Sequence, residues 1–169
     1  HQLIIKEAQV SDEELRFVSE EDDSCGSTRP AGRCWRILLV DDDEDVHLAT
    51  LYALKGIEIL GRTLVFLHAR SADEARRLLQ QEGDIAVALV DVVMETKDAG
   101  LLLARFIREE VGLLDTRIIL RTGQPGDAPE DKVIRDYDIN DYKTKSELTS
   151  GKLYTTITAA LRSYSQICT

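Results

Sequence analysis

The most constraining stretch of the sequence is an almost unbroken apolar run that ends in one acid, Ile-Ala-Val-Ala-Leu-Val-Asp at residues 85–91. A strand buried on both faces of a parallel sheet has this pattern, because neither of its faces meets solvent. In open parallel sheets, ligands bind beyond the carboxyl ends of the strands. The sequence therefore places Asp91 at the edge of a predicted sheet where binding and chemistry are concentrated.

Strands and helices alternate along the rest of the chain. Short apolar runs predict four further strands, at residues 35–40, 63–69, 117–121 and 139–144. Helical spacing, a capping box that begins at Ser71 and a proline at position 129 predict helices at residues 44–55, 71–81, 100–110, 129–137 and 149–166. Five strands alternating with five helices predict a single doubly wound α/β domain with a parallel sheet.

Two regions differ in composition. Residues 1–33 are acidic and then rich in Gly, Ser and Pro, which indicates a leader or linker, with partial disorder and a short helix capped by Ser11 as the alternatives. Residues 34–169 carry the alternating pattern and form the predicted domain. Because the chain begins at His1 rather than Met, we expect a fragment or a processed chain.

Charge and hydropathy exclude several classes of function. The net charge of -10 argues against direct nucleic-acid binding. No apolar run is long enough to span a membrane, and no signal peptide is recognisable. The three cysteines have irregular spacing that fits neither a disulfide framework nor a zinc site. We therefore expect free thiols and a cytoplasmic location.

Polar residues end several of the predicted strands. Asp41 and Asp42 follow the first, Asp91 ends the third, Thr122 follows the fourth and Lys145 follows the fifth. Carboxylates that meet in one crevice repel each other and call for a cation, and an all-oxygen site suits Mg²⁺. A carboxylate can accept a phosphoryl group, and a nearby hydroxyl and ammonium can bind its oxygens.

Each of these residues also has an ordinary structural explanation. Acids after a strand often cap the next helix, a threonine in a strand is often only a good β-former, and a loop lysine is usually solvated. A structural role is also the better interpretation of His68, which has no nucleophile near it in the sequence. The joint occurrence of the set, each member on its own strand, favours a functional site.

Four segments together resemble the receiver domain of two-component response regulators, over residues 35–167. They are Ile37-Leu-Leu-Val-Asp41-Asp42, Leu89-Val-Asp91-Val-Val-Met94, Ile118-Ile-Leu-Arg-Thr122-Gly123 and Asp141-Tyr142-Lys-Thr-Lys145. The resemblance implies the flavodoxin-like strand order 2-1-3-4-5. Longer strings resemble a subfamily that carries an acidic leader, an uncharacterised domain and often an HD-type phosphohydrolase region downstream.

The resemblance implies a metal site and a phosphoacceptor. Asp91 would accept a phosphoryl group from a sensor histidine kinase or a phosphotransfer protein. Asp42 and Asp91 would ligate Mg²⁺ directly, together with the backbone carbonyl of Val93. Asp41 would assist through water.

It also implies a switch. Thr122 and Lys145 would contact the phosphoryl group, and the motif selects Lys145 over Lys143. Tyr142 stands where the family has its rotating aromatic. Phosphorylation would then change the surface of helix four, strand five and helix five, and so control an attached or partner output domain. A second copy of the chain is a further candidate partner.

Three positions depart from the family pattern. Ser146 stands where a proline commonly follows the lysine, which leaves a trans or a strained cis peptide bond as alternatives. Glu95 replaces the proline that often follows Met94. The loop from Asp91 to Gly100 is also about one residue longer than usual, so the lifetime of a phosphoryl group could differ.

Two other functions remain open at this point. One is an interaction module with the same fold that signals without phosphorylation. The other is an Mg²⁺-dependent phosphotransferase or nuclease, which the acidic balance disfavours. On the main hypothesis the chain is a regulatory domain with at most self-phosphorylation and self-dephosphorylation, and not a stand-alone enzyme.

Overall fold

The computed structural model of the chain describes residues 34–123, 130–146, 148 and 150–168. Nearly all of them belong to one compact unit, Trp35–Thr169. The predicted leader at residues 1–33 lies outside the described residues, so its expected disorder stays a prediction.

A six-stranded sheet forms the centre of this unit. Its strands are β1 (Cys34–Val40), β2 (Glu58–Ile59), β3 (Arg62–Ala69), β4 (Ile85–Asp91), β5 (Arg117–Thr122) and β6 (Asp141–Thr144), in the order β2-β3-β1-β4-β5-β6. The pairs β1–β4, β4–β5 and β5–β6 are parallel. The five expected strands therefore follow the expected order 2-1-3-4-5.

The short strand β2 was not predicted. It pairs antiparallel with the start of β3 through two residue pairs, Glu58↔Thr63 and Ile59↔Arg62. Trp35 stabilises it, since its indole Nε1 donates a hydrogen bond of 2.8 Å to the Ile59 carbonyl. The guanidinium of Arg62 lies 4.1 Å from the Trp35 ring centroid, and Tyr164 meets the same ring edge-on at 6.3 Å. A strand of two residues is too short for a recognisable alternating pattern.

In the part of the chain that the structure describes, five helices accompany the strands, as expected. They are α1 (Glu44–Leu54), α2 (Ala72–Gln81), α3 (Ala99–Arg105), α4 (Glu130–Tyr137) and α5 (Ser150–Ile167). The predicted cap of α2 is present, since the Ser71 side chain accepts a hydrogen bond from the Glu74 backbone N–H. The third predicted helix has the expected length but a different second half, because α3 continues as a π-helix over Phe106–Val111.

The core consists of two apolar layers, one on each face of the sheet. Leu38, Val90 and Leu120 face the layer that includes residues of α2, α3 and α4. The alternate strand residues Ile37, Leu39, Leu89 and Ile119 face the layer that includes α1 and α5. All seven residues of β4 are buried. This explains its unbroken apolar sequence, because helices cover both faces of the strand.

Two observations bear on the remaining expectations about the whole chain. Within the described residues, no helix is both long and apolar enough to cross a membrane. Cys168 is a free thiol, as expected. Cys34 is disulfide-bonded, so the expectation of a free thiol was wrong there; irregular cysteine spacing does not exclude a single bridge.

Candidate functional site

The predicted site residues come together at one edge of the sheet. Asp91 and Thr122 are the last residues of β4 and β5, Asp41 directly follows β1, and Lys145 directly follows β6. The strand register keeps these ends level, since Asp91 is paired with Arg121 and Thr122 with Thr144. The fold thus converts separate sequence positions into one cluster.

Three carboxylates form the acidic part of this cluster. Asp41, Asp42 and Asp91 each offer an oxygen within 4.8 Å of the others. Asp41 and Asp91 are buried, whereas Asp42 is exposed. The Oδ2 atom of Asp41 is buried and forms an ion pair with the Lys145 ammonium. Since hard oxygen donors at this spacing suit a small divalent cation, the residues fit Mg²⁺.

Lys145 supplies the positive charge. Its Nζ lies 3.2 Å from Asp91 Oδ2, where it donates a hydrogen bond, and 3.1 Å from Asp41 Oδ2. Its backbone N–H donates to the Thr122 carbonyl at 2.8 Å, which holds the turn after β6 against β5. The Nζ atom of Lys143 instead lies 3.8 Å from Asp141 Oδ1. The structure therefore brings Lys145, and not Lys143, to the acids.

Burial and mutual repulsion shift the protonation of this cluster. Burial, followed by the charge of Asp41, raises the pKa of Asp91 to about 6, against the opposing effect of Lys145. Burial alone would lower the pKa of Lys145, but contacts with the Asp41 and Asp91 carboxylates outweigh it and raise that pKa. A second cation at the acids would favour the charged form of Asp91 further.

Thr122 and Tyr142 are both buried at the positions predicted for the switch. Thr122 is 2% exposed at the end of β5. Tyr142, in β6, is 8% exposed and belongs to the core layer that contains Leu120 and Val133. Tyr142 therefore points into the protein in this structure.

The loop after Asp91 packs directly on the strand end. The Gly100 backbone N–H donates to the Val92 carbonyl at 2.9 Å. A Cβ atom on Gly100 would lie 2.1 Å from the Asp91 carbonyl oxygen, so only glycine allows this approach. Val93 lies in the same loop, and a hydrogen bond from its backbone favours the charged form of the Asp91 carboxylate.

The departures from the family pattern also have visible consequences. Both carboxylate oxygens of Glu95 accept from the Ala72 backbone N–H, at 3.0 and 3.1 Å. Glu95 thus binds the first residue of α2, where a negative charge is favourable. No peptide bond among the described residues is cis, so the Lys145–Ser146 bond is trans.

A histidine pair beneath the acids was missed by sequence reasoning. His47 Nε2 lies 2.8 Å from the Asp41 carbonyl oxygen, and His47 Nδ1 lies 2.8 Å from His68 Nδ1. Because a carbonyl only accepts, His47 donates from Nε2, and a neutral His47 then accepts from His68. The pair supports the structural role expected for His68. His47, Thr50 and Leu54 recur at helical spacing, which would have placed His47 on the buried face of α1.

Arg121 is the second residue that sequence reasoning missed. It precedes Thr122 in β5 and is only 4% exposed. Its Nη1 donates to Thr50 Oγ1 at 3.3 Å. An arginine in an otherwise apolar strand gives no sequence signal for the direction in which its side chain points.

Comparisons with known proteins identify a similar sequence and similar solved structures. No family model matches the chain. It is 52% identical over 134 residues to 3'3'-cGAMP-specific phosphodiesterase 2 of Vibrio cholerae, a match that covers 79% of this chain and 26% of that protein. The chain thus spans about a quarter of that relative's length.

Several solved structures have the same fold as this chain. The signal receiver domain of an HD domain-containing protein from Pseudomonas fluorescens Pf-5 superposes with a TM-score of 0.66 at 26% identity, over 79% of this chain and 99% of that one. The chain has the fold of a response-regulator receiver domain. A CheY-like receiver domain from Methanospirillum hungatei JF-1 also superposes on this receiver fold, with a TM-score of 0.65 at 20% identity over 79% and 98% of the two chains.

Proposed function

We propose that the chain is the phosphoacceptor receiver module of a two-component system. The observation that carries the proposal is the convergence of Asp41, Asp91 and Lys145, with Lys145 Nζ within 3.2 Å of both carboxylates. A buried carboxylate beside an ammonium is suited to accept a phosphoryl group, since the ammonium can bind the incoming oxygens. The receiver fold of the solved neighbours supports the same function.

The proposed reaction transfers a phosphoryl group from a phosphohistidine to Asp91. A carboxylate oxygen of Asp91 forms a bond to phosphorus while the phosphorus–nitrogen bond breaks. The nitrogen keeps the electron pair, and the donor histidine leaves as neutral imidazole because its other ring nitrogen carries a proton. Asp42, Asp91 and the Val93 carbonyl, with help from Asp41, would hold Mg²⁺, and the ion would supply positive charge against the phosphoryl oxygens.

The proposed read-out begins at Thr122. Phosphorylation adds about -1.5 to -2 charge units and strong acceptor oxygens. The Thr122 hydroxyl moves to donate to these oxygens, and Tyr142 turns into the space that it leaves. The surface of α4, β6 and α5 then changes its affinity for the output.

The proposed output is an attached catalytic region. The Vibrio cholerae relative is named as a phosphodiesterase specific for 3'3'-cGAMP, and the Pseudomonas neighbour comes from an HD domain-containing protein. We propose that this receiver controls a phosphodiesterase region of that general kind. Its direct partners are a sensor histidine kinase or phosphotransfer protein in the cytoplasm, and a second copy of the chain is a candidate partner.

Phosphorylation is tested by mass spectrometry. Incubation with acetyl phosphate and Mg²⁺ is expected to add about 80 Da to the intact chain, and excess EDTA should prevent it. Asp91→Asn should abolish the addition. The matched control, Asp73→Asn, changes an exposed acid of α2 and should leave it intact. An unmodified wild-type chain would instead favour an interaction module that signals without phosphorylation.

The switch is tested separately by NMR. Beryllofluoride with Mg²⁺ should shift the ring signals of Tyr142 in the wild-type chain. Thr122→Ala should still bind beryllofluoride but should leave the Tyr142 signals near their unbound positions. A Tyr142 shift of the same size in the variant would contradict the proposed coupling.

A further inference from the structure

The first helix of the domain exposes its large apolar side chains. Among the described residues, Tyr52 is the most exposed large apolar side chain, at 85%, and Leu48, one turn earlier in α1, is 56% exposed. Two of the three buried residues of the same helix, His47 and Thr50, are polar. A surface helix ordinarily buries its apolar stripe and exposes its polar one. The opposite arrangement in α1 is expected where a second apolar surface covers the outer face of the helix.

Leu48 and Tyr52 belong to one stripe that has a charge at each end. Asp45, Leu48, Tyr52 and Lys55 follow each other at intervals of three, four and three residues, and every one of them is exposed. This spacing keeps side chains on one side of a helix, as in the seam of a coiled coil. Asp45 lies in the first turn of α1 and Lys55 is its C-cap. The stripe is therefore acidic at one end, apolar in the middle and basic at the other end.

The stripe is complementary to itself when two copies run antiparallel. Asp45 and Lys55 lie at equal distances in sequence on either side of position 50, and so do Leu48 and Tyr52. A two-fold axis at this position would place Leu48 against the partner's Tyr52, and Asp45 against the partner's Lys55. In a two-fold interface each contact occurs twice. One stripe would thus supply a pair of apolar contacts flanked by a pair of ion pairs.

The charges favour the antiparallel orientation over a parallel one. Parallel helices would place Asp45 against the partner's Asp45 and Lys55 against the partner's Lys55, and like charges across an interface repel. The neighbouring acid Glu44 is engaged within its own chain, because its two carboxylate oxygens accept hydrogen bonds from Arg70 at 2.8 and 3.0 Å. Asp45 is therefore the acid of the first turn that is placed to meet a second copy.

We propose that the outer face of α1 is a homodimer interface, in which the stripe from Asp45 to Lys55 pairs antiparallel with the same stripe of a second copy. The pairing does not require phosphorylation of Asp91. One pair of helices buries less than the roughly 800 Å² per partner of a standard stable interface, so the dimer of the isolated chain is weak, with a dissociation constant on the order of 100 µM. Where an output region is attached, the pairing would bring two copies of it together.

Analytical ultracentrifugation tests the association. Over roughly 10 µM to 1 mM, the wild-type 169-residue chain should show a monomer–dimer equilibrium. Leu48→Gln should weaken the dimer at least about tenfold, because it removes a central apolar contact that occurs twice. Leu114→Gln is the matched control, since Leu114 is 64% exposed in the loop before β5, and it should leave the association unchanged.

A further variant separates this proposal from the phosphoacceptor function. Asp91→Asn removes the proposed phosphoacceptor and lies outside the stripe, so it should leave the dissociation constant within about twofold of the wild-type value. Loss of phosphorylation with an intact dimer, and loss of the dimer with intact phosphorylation, are therefore distinguishable results.

Two charge reversals test the antiparallel orientation. Asp45→Lys places two lysines together at each end of the dimer, and Lys55→Glu places two acids together, so each variant alone should associate at least about tenfold more weakly. An equimolar mixture of the two variants restores opposite charges at both ends of a heterodimer. The mixture should associate within about threefold of the wild-type chain.

The substituted positions are all exposed, and circular dichroism checks that each variant is folded. The proposal is overturned if the wild-type chain remains monomeric at about 1 mM. It is also overturned if Leu48→Gln weakens the dimer no more than Leu114→Gln does, or if the mixture of Asp45→Lys and Lys55→Glu associates no better than either variant alone.

Discussion

At the scale of single residues, close backbone contact fixes the environment of Asp91. The loop that follows Asp91 returns at Gly100, whose N–H bonds to Val92. A Cβ atom there would lie 2.1 Å from the backbone carbonyl oxygen of Asp91 itself. Backbone at a strand end cannot move aside as a flexible side chain can, so the position has no tolerance for added volume.

We therefore expect Gly100→Ala to destabilise the chain by about 2–4 kcal/mol, because α3 or the end of β4 must shift. Urea denaturation measures the loss. The control is Gly151→Ala, where an added Cβ has no neighbour within 4 Å. That change should be neutral or stabilising by up to about 1 kcal/mol, since alanine favours the helix. Equal effects of the two changes would contradict the steric argument.

His68 gives a second prediction at this scale, on pH. Burial, followed by the charge of His47 and of Arg70, lowers the pKa of His68, and Glu44 opposes this. The folded state therefore disfavours the protonated ring. Its contribution to stability is present above the ordinary pKa of 6.5 and is lost as the pH falls through the lower folded-state value.

His68→Asn should remove that part of the pH dependence, because an asparagine amide can donate to His47 Nδ1 but does not titrate. Thermal melts between about pH 7 and pH 5 should show the wild-type chain losing stability relative to the variant. The titration of Asp91 is present in both proteins and cancels in the difference. A constant difference over this range would refute the assignment.

The residues of the acid cluster could be predicted from sequence, but their surroundings could not. Asp41, Asp91 and Lys145 directly follow or end strongly patterned strands, so topology alone brings them together. His47 and Arg121 acquire their partners only when α1 packs on the sheet. Such contacts depend on tertiary approach, which the periodicity of one segment does not contain.

At the scale of elements, Arg108 joins the π-helical end of α3 to the opposite end of the sheet. It is 7% exposed, and its guanidinium donates to the carbonyls of Leu113, Thr116 and Asp138 and to the Asn140 side chain. Asn140 in turn accepts from the Ile118 N–H at 2.7 Å. The Arg108 side chain thus donates hydrogen bonds to backbone carbonyls in both of the loops that precede β5 and β6.

Arg108→Met should destabilise the chain by about 3 kcal/mol, because it leaves the buried Thr116 carbonyl and several part-buried acceptor oxygens without this donor. Chemical denaturation measures this. Arg105→Met is the matched control on the preceding turn, where the guanidinium is exposed and lies 4.9 Å from the Tyr137 ring centroid. We expect a loss of about 1 kcal/mol or less there. Similar losses for both would show that Arg108 is not the central contact.

Element boundaries followed from the sequence wherever a local signal was strong. The Ser71 cap predicted the start of α2 to within one residue, and the apolar run predicted both ends of β4. The π-helical turn at Phe106–Val111 and the strand β2 had no such signal. Their conformations depend on partners distant in sequence, Asp138 and Asn140 for Arg108 and Trp35 for Ile59.

At the scale of the whole molecule, the net charge of -10 is not evenly distributed. Three acids lie together at the sheet edge, and two of them are buried. Lys145 compensates only part of that charge. A cation that binds the folded cluster and not the unfolded chain must stabilise the whole domain.

Mg²⁺ should therefore raise the stability of the wild-type chain by about 1.4 kcal/mol at roughly 10 mM, if its dissociation constant is on the order of 1 mM. Thermal melts in EDTA and in MgCl₂ measure this, with NaCl at matched ionic strength as the control for screening. Asp42→Asn changes an exposed acid and should remove most of the gain without altering the metal-free stability. An equal gain in the variant would place the metal elsewhere.

The packing of Trp35 has an optical consequence. It is the single tryptophan of the chain, it is 3% exposed, and it lies between Arg62 and Tyr164. Its fluorescence therefore reports, without any label, on the corner where β1, β2 and α5 meet. When that corner opens, the indole enters water and its emission shifts to longer wavelength, so each of the stability measurements above can be read from native light emission alone.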